Sequence, residues 1–527
     1  MTSTMPIFSP IDYQTSATAL PRPENVSTQI DLWIDEAIWG HRLYDEQVPW
    51  LTVLECLGVA FAEYREGRMF DEPASRLLKY RPAVQLRLRN ILFNSPRIAL
   101  IAEHGGDDAS CWATWLEEMQ RDSGGFADPS YEYVQGHFES FRAFAEVVKF
   151  LRGSTIQGPN NKRWSSQFLF PFGPSAVYED LEAKKTSYSI DRRFFQRTGE
   201  LLYLMLARSG AGQALRRHLE GRFIKAALPF ERLVSVLQGE KQLCISAKEG
   251  PYLPFANRPE YVRLSDDWLA LFRRSLPGYD VWPHLVTMSG LNLLLYFLGR
   301  AREEVGEAGR PELVLEIVSA RKTDVRELSA ESFAQNNLLP QRALAAHIAR
   351  VTASDEWMTA LVKEDPILEA MQLLRRRFLW EREDDATETV KDPNDLIAEL
   401  QQRALTRHRV HTAKIHSTWG KAVGLVSRRL SRRTRYAPTD ALLKTLVVCC
   451  VEDRMEFSAF VELLYDRYGL VIGDRQAARV PLTAGADLEL FHDNVARLEE
   501  RLSGLGLVRR LSDQCAYVEN PFAGNIA

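Results

Sequence analysis

The sequence predicts a mainly α protein: a large helical body, then an acidic linker, a basic helix and a small C-terminal domain of helices and a hairpin. Two observations carry this. Apolar residues recur at three- and four-residue intervals along most of the chain, as in Phe141, Phe144, Val148 and Leu151, or Leu488, Phe491, Val495, Leu498 and Leu502. That spacing lays side chains on one face of a 3.6-residue helix. Strand-like runs are short and few: Leu243 to Ile245, Leu507 to Leu511, and Cys515 to Val518. No internal repeat of fixed period is present, so a solenoid is not expected.

Residues 1–28, with Pro6, Pro10, Pro21 and Pro23 among Ser and Thr, read as a poorly ordered lead-in. A helical scaffold body follows over 29–380. Helices are expected from Gln29, over Leu51 to Tyr64, and through 75–101, where Pro82 and Pro96 interrupt. Others lie around Trp112 and Trp115, over Phe138 to Leu151, over Phe194 to Leu206, and over Ala211 to Leu237 as one or two. They resume at Trp268 to Arg274, 283–304 and 312–320. Asn336 to Pro340 reads as a turn before a helix from Arg342 to Val351, and Met358 to Leu361 and Ile367 to Trp380 close the body. The Gly- and Pro-rich stretch 153–175 and the irregular stretch 240–263 are both candidate boundaries between two subdomains.

Composition narrows the class. The 527 residues are 45% hydrophobic and 26% charged, ordinary for a soluble globular chain of two to four domains. Ten of the eleven Trp precede residue 381, which points to a well-packed body. The six cysteines are scattered without a C-x-x-C pair, so neither a zinc ribbon nor a disulfide framework is expected. No secretory leader is visible. The longest apolar run, Leu285 to Leu298, is broken by Thr287, Ser289 and Asn292 and reads as a buried helix. The expectation is a cytoplasmic protein with no membrane partner.

The most informative stretch is 403–435. It holds ten Lys or Arg, three histidines (His408, His411, His416) and no Asp or Glu. The rest of the chain therefore carries −14, this stretch's +10 being set against a net −4. Arg407, Lys414, Lys421, Arg428 and Arg435 stand seven residues apart, near one line on a helix, and Ile415, Trp419, Val423, Val426 and Leu430 take the opposite side. An unbroken helix would run about 42 Å from 407 to 435, with a kink expected at Gly420 or Gly424. Before it, 381–402 reads as an acidic linker, with seven acids against Arg382 and Lys391 over 381–395. The basic stripe suggests a polyanion; pairing with that acidic linker, a protein partner or a plain solvated face are the alternatives. The three histidines read as cationic surface rather than metal ligands, since no carboxylate or thiolate is near. Lys162, Arg163 and Trp164 read as a core anchor or a base-stacking contact.

After Pro438 come helices over Thr439 to Val451, Ser458 to Tyr468 and about Leu488 to Leu502, then strands Leu507 to Leu511 and Cys515 to Val518 around Ser512, Asp513 and Gln514. Three helices followed by a hairpin resemble a winged-helix domain over 436–527. The resemblance implies DNA reading by the third helix, whose outward residues are His492, Asp493, Arg497, Glu499, Glu500 and Arg501, with Arg509 and Arg510 on the wing. That mixed face has no cationic bias, so packing against protein is the alternative. No Walker, dinucleotide, zinc-protease or hydrolase-elbow motif occurs. Glu316, Lys322, Asp324 and Glu327 lack nuclease spacing, and Asp191, Arg192, Arg193 and Glu200 read as capping and solvating an apolar helix. No catalytic residue, cofactor or metal is expected.

The whole architecture resembles accessory subunits of bacterial anti-phage defence systems. This implies a non-enzymatic subunit that binds DNA, double-stranded by preference, or bridges it to an ATPase, nuclease or methylase. A structural adaptor and a winged-helix transcription regulator are the rivals. The nucleic-acid-binding residues expected are Arg407, Lys414, Lys421, Arg428, Arg429, Arg432, Arg435, Arg497, Arg509 and Arg510.

Overall fold

The computed structural model describes residues 8, 17–23, 30–71, 77–83, 86–122, 130–156, 168–179, 181–183, 188–190, 195–226, 228–239, 247–318, 324–382, 390–429, 432–512 and 515–523. Among these the chain is mainly α, with twenty α-helices and strands of no more than five residues. It divides into two compact units. One comprises residues 1–45, 208–211 and 251–527; the other comprises 46–207 and 212–250.

The 46–250 unit is built on two helices, Pro49–Arg65 and Thr198–Ala207. They approach closely because Gly199 has no side chain: a Cβ there would run into the Thr52 carbonyl and Glu55. A second layer packs Trp112 and Trp115 from Asp108–Asp122 against Phe141 and Phe144 from Phe141–Gly153, with Trp115 and Phe144 ring centroids 4.8 Å apart. Ser140 caps the latter helix by accepting from the Ala143 N–H. The expected helical pattern at 75–101 is partly replaced: Leu77–Tyr80 is a strand, followed by helices Leu86–Phe93 and Ile98–His104. The expected strand at 243–245, the Lys162–Trp164 contact and Asp191 to Arg193 lie outside the described residues, as does most of 1–28.

In the other unit, Val281–Glu304 is a 24-residue helix that is long and apolar enough to cross a membrane; 83% of its most apolar window is buried. Two expectations are corrected. The apolar run at 312–320 contains a strand, Leu313–Val314, paired in parallel with Leu470–Val471, and the helical spacing there was the accident of a short buried run. Asn336 to Pro340 is not a turn, since Asp324–Ala349 runs straight through Pro340. The neighbouring Asn336 side chain instead donates to the Glu312 carbonyl and the Tyr436 hydroxyl, tying this turn of helix to its surroundings.

The single basic helix is also corrected. Residues 403–435 span the end of helix Pro393–Val410, a second helix Thr412–Ala422, and a hairpin of Val426–Ser427 against Arg435–Tyr436. His411, at φ −130°, breaks the first helix from the second. Gly424, at φ +78°, ends the second in the left-handed region that favours glycine. The acidic linker is shorter than expected because a helix starts at Pro393, capped reciprocally by Asp392 and Asp395; 383–389 lies outside the described residues. Beyond it, Asp440–Cys450, Phe457–Tyr468 and Glu489–Gly504 are the three principal helices of the C-terminal region. Its sheet has three antiparallel strands, with Cys515–Glu519 between Arg454–Glu456 and Val508–Ser512. Residues 436–527 belong to the same compact unit as 251–435.

Candidate nucleic-acid interface

The ten expected site residues separate into three groups. Arg407 and Arg435 are not available to a ligand. The Arg407 side chain is 12% exposed and pairs with Asp31 at 2.8 Å, and that of Arg435 is wholly buried against Glu316. Both sat on the seven-residue line, but Arg407 is partly buried on helix Pro393–Val410 and Arg435 lies inside at the hairpin's base. Arg497 and Arg510 are neutralised locally, by Asp493 at 3.4 Å and Glu499 at 3.0 Å. Lys414, Lys421, Arg428, Arg429, Arg432 and Arg509 are exposed, and no ion pair engages them among the described residues.

Three of these six crowd onto the tip of the 426–436 hairpin, where Arg433 joins them and pairs with Glu327 at 2.9 Å. The tip is held at its base. Arg435 lies between the Glu316 carboxylate and the Arg429 carbonyl, and Arg326 supplies a second guanidinium to Glu316 at 2.8 Å. Ser329 accepts from the Tyr436 N–H and donates to its carbonyl. Gly424 closes the other strand, with its carbonyl accepting from the Thr439 N–H. Gly420 packs against Val426, so the helix crosses the hairpin where only a glycine fits. Glu316, considered as a nuclease acid, is therefore a structural counter-ion; Glu327 pairs with the tip, and Lys322 lies outside the described residues.

The same 313–317 segment also fixes the third C-terminal helix. Asn494 donates to the Leu315 and Ile472 carbonyls and accepts from the Ile317 N–H. Arg501 of that helix pairs with Asp440 at 2.6 Å. The arginine-rich hairpin and the Glu489–Gly504 helix thus share one support. The helix's own arginines are occupied by acids, so the cationic character lies on the hairpin rather than on the helix.

The histidines are corrected as well. His408 and His416 are buried, not cationic surface. His416 stacks on Phe333 at 4.4 Å, with Nε2 2.8 Å from the Tyr436 hydroxyl. Burial pushes its pKa down to about 3, and burial with Arg409 nearby pushes His408 down to about 4. His411 alone is partly exposed, 3.1 Å from Asp45.

One constellation escaped sequence reasoning. In the 46–250 unit, Glu55, Glu179 and Glu200 converge on Lys248, whose Nζ lies 3.8, 3.1 and 2.7 Å from their respective carboxylates. All four side chains are buried. Gly199 brings Glu55 and Glu200 together by letting their helices touch. Gln47 donates to Glu55 at 2.6 Å, as do the Arg197 and Gly199 N–H groups at 3.2 and 2.8 Å, and Tyr80 donates to both Glu179 and Glu200. Burial, then repulsion by Glu200 and Glu179, pushes the Glu55 carboxyl up to about 8. Glu200, expected to solvate its helix, is internal; the available signal was a lone carboxylate inside the apolar helix Thr198–Ala207, with Glu55 another carboxylate set in an apolar run.

The chain matches no protein-family model, no curated protein and no solved structure.

Proposed function

We propose that this chain is a non-enzymatic DNA-binding subunit, one that bridges DNA to other proteins of a bacterial nucleic-acid-processing assembly such as an anti-phage defence system. The observation that carries the reading is the hairpin: Arg428, Arg429 and Arg432 are exposed without acidic partners among the described residues, above a base held by the buried Arg435–Glu316 pair. An arginine cluster on a rigid support is suited to phosphate oxygens. The C-terminal helices and three-stranded sheet support a winged helix as the neighbouring module. Its third helix carries paired charges, which favours backbone binding by the hairpin over base reading by the helix. Those same paired charges favour a protein partner for the helix, and this is where bridging enters the reading.

An electrophoretic shift across salt tests it. A contact of about six phosphates loses about 10³-fold in affinity between 50 and 200 mM salt. Replacing Arg428, Arg429 and Arg432 together by Ala is expected to lower the slope of log K against log salt by roughly 3. A wild-type protein that fails to shift duplex DNA at 50 mM salt, or a variant with the wild-type slope, would leave the adaptor reading in its place.

A further inference from the structure

Three carboxylates and one lysine buried together are electrostatically incomplete. With the carboxylates ionised, the Glu55–Glu179–Glu200–Lys248 cluster carries two uncompensated negative charges in a desolvated interior, which is costly unless they are neutralised. Protons are one solution and a cation is the other. The hydrogen bonds show which carboxylate oxygens are already engaged. Lys248 and Tyr80 take up the Oε1 atoms of Glu179 and Glu200, while Gln47 and the Gly199 N–H occupy Oε2 of Glu55. Oε2 of Glu179 and Oε2 of Glu200 are buried and have no hydrogen-bond partner among the described residues. A shared proton would join only two of the three carboxylates, whereas a cation can draw on one oxygen from all three. One ligand oxygen from each of the three carboxylates can be chosen so that all lie within 4.8 Å of one another. Glu55 and Glu179 also line a cavity of about 10 Å³, roughly the room for one water.

We propose that Glu55, Glu179 and Glu200 bind a hard divalent cation of the size of Mg²⁺ or Mn²⁺. All-oxygen donors select this class over zinc or copper. Two positive charges complete the balance that Lys248 begins. Lys248 is a fixed counter-charge rather than a ligand, since an ammonium has no lone pair to give. Enclosure of the group makes the ion structural: it locks Pro49–Arg65 to Thr198–Ala207 and is loaded as the unit folds.

The test is Mn²⁺ uptake by the full chain, refolded from urea with and without MnCl₂ after EDTA treatment, read by the loss of the free-ion electron paramagnetic resonance signal. Uptake of about one Mn²⁺ per chain, with a raised Tm reversed by EDTA, is expected. Glu179→Gln and Glu200→Gln keep the side-chain shape while removing charge, and each is expected to weaken uptake at least about tenfold. Mg²⁺ should compete. Absence of saturable uptake by the wild-type chain would overturn the proposal in favour of shared protons. So would stoichiometric uptake unchanged in both variants, which would put the ion elsewhere. Should a variant fail to refold, the wild-type stoichiometry and its competition by Mg²⁺ still decide.

Discussion

Arg435 and Arg428 are seven residues apart and equally cationic, yet their surroundings make them opposites. Arg435 has no exposed surface and satisfies Glu316, so replacement by Met strands a buried carboxylate whose remaining ion pair among the described residues is with Arg326. The expected loss is about 3 kcal/mol in urea unfolding, against less than about 0.5 kcal/mol for Arg428→Ala. Equal values for the two would refute the division into structural and available arginines. His416 gives the pH counterpart. Its folded pKa, about 3, lies below the ordinary 6.5 because burial disfavours the imidazolium. It therefore adds stability that is full above pH 6.5 and is lost as pH falls from there toward 3. In His416→Gln the slope of stability between pH 6 and 4 should drop by about 1.4 kcal/mol per pH unit, the share of one proton. An unchanged slope would mean that His416 does not titrate on unfolding.

At the scale of elements, the hairpin depends on the glycine that ends the preceding helix. Gly424 has φ +78°, and a Cβ there would collide with Thr439 Oγ1. Gly424→Ala is expected to cost about 2 kcal/mol through strain and the displaced Thr439, measured by thermal unfolding. Because this glycine sets the hairpin's base, the proposed function predicts that the variant also binds duplex DNA more weakly at a temperature where it remains folded. A loss of stability with wild-type DNA affinity would show that the tip needs no fixed base. The cap at the start of Pro393–Val410 is a milder case: Asp392→Ala removes one side of a reciprocal cap and should cost about 1 kcal/mol.

For the whole molecule, the division into two units predicts that residues 46–250, which hold all of one unit and only 208–211 of the other, form a folding unit. Expressed alone, they should give a helical circular-dichroism spectrum and one cooperative thermal transition. A molten product binding a hydrophobic dye would show that the unit needs the rest of the chain.

Much of the fold could be read from one dimension. Helices over 458–468 and 488–502 were legible because each keeps an apolar face at helical period, and those over 51–64 and 283–304 because their apolar runs are too long for a buried strand. Two of the three C-terminal strands were legible from short apolar runs on either side of Ser512 to Gln514, whereas Arg454–Glu456 carries too short a run to signal a strand. What the sequence by itself determined is therefore the mainly α class and the concentration of positive charge in 403–435. Tertiary structure alone decided which of those charges face solvent. A seven-residue spacing aligns side chains only while the helix continues, and His411 and Gly424 end it twice. It also decided that Glu55, Glu179, Glu200 and Lys248 meet. Their separations in sequence carry no periodic signal, and their meeting depends on two helices touching at Gly199, where a single Cβ would have held them apart.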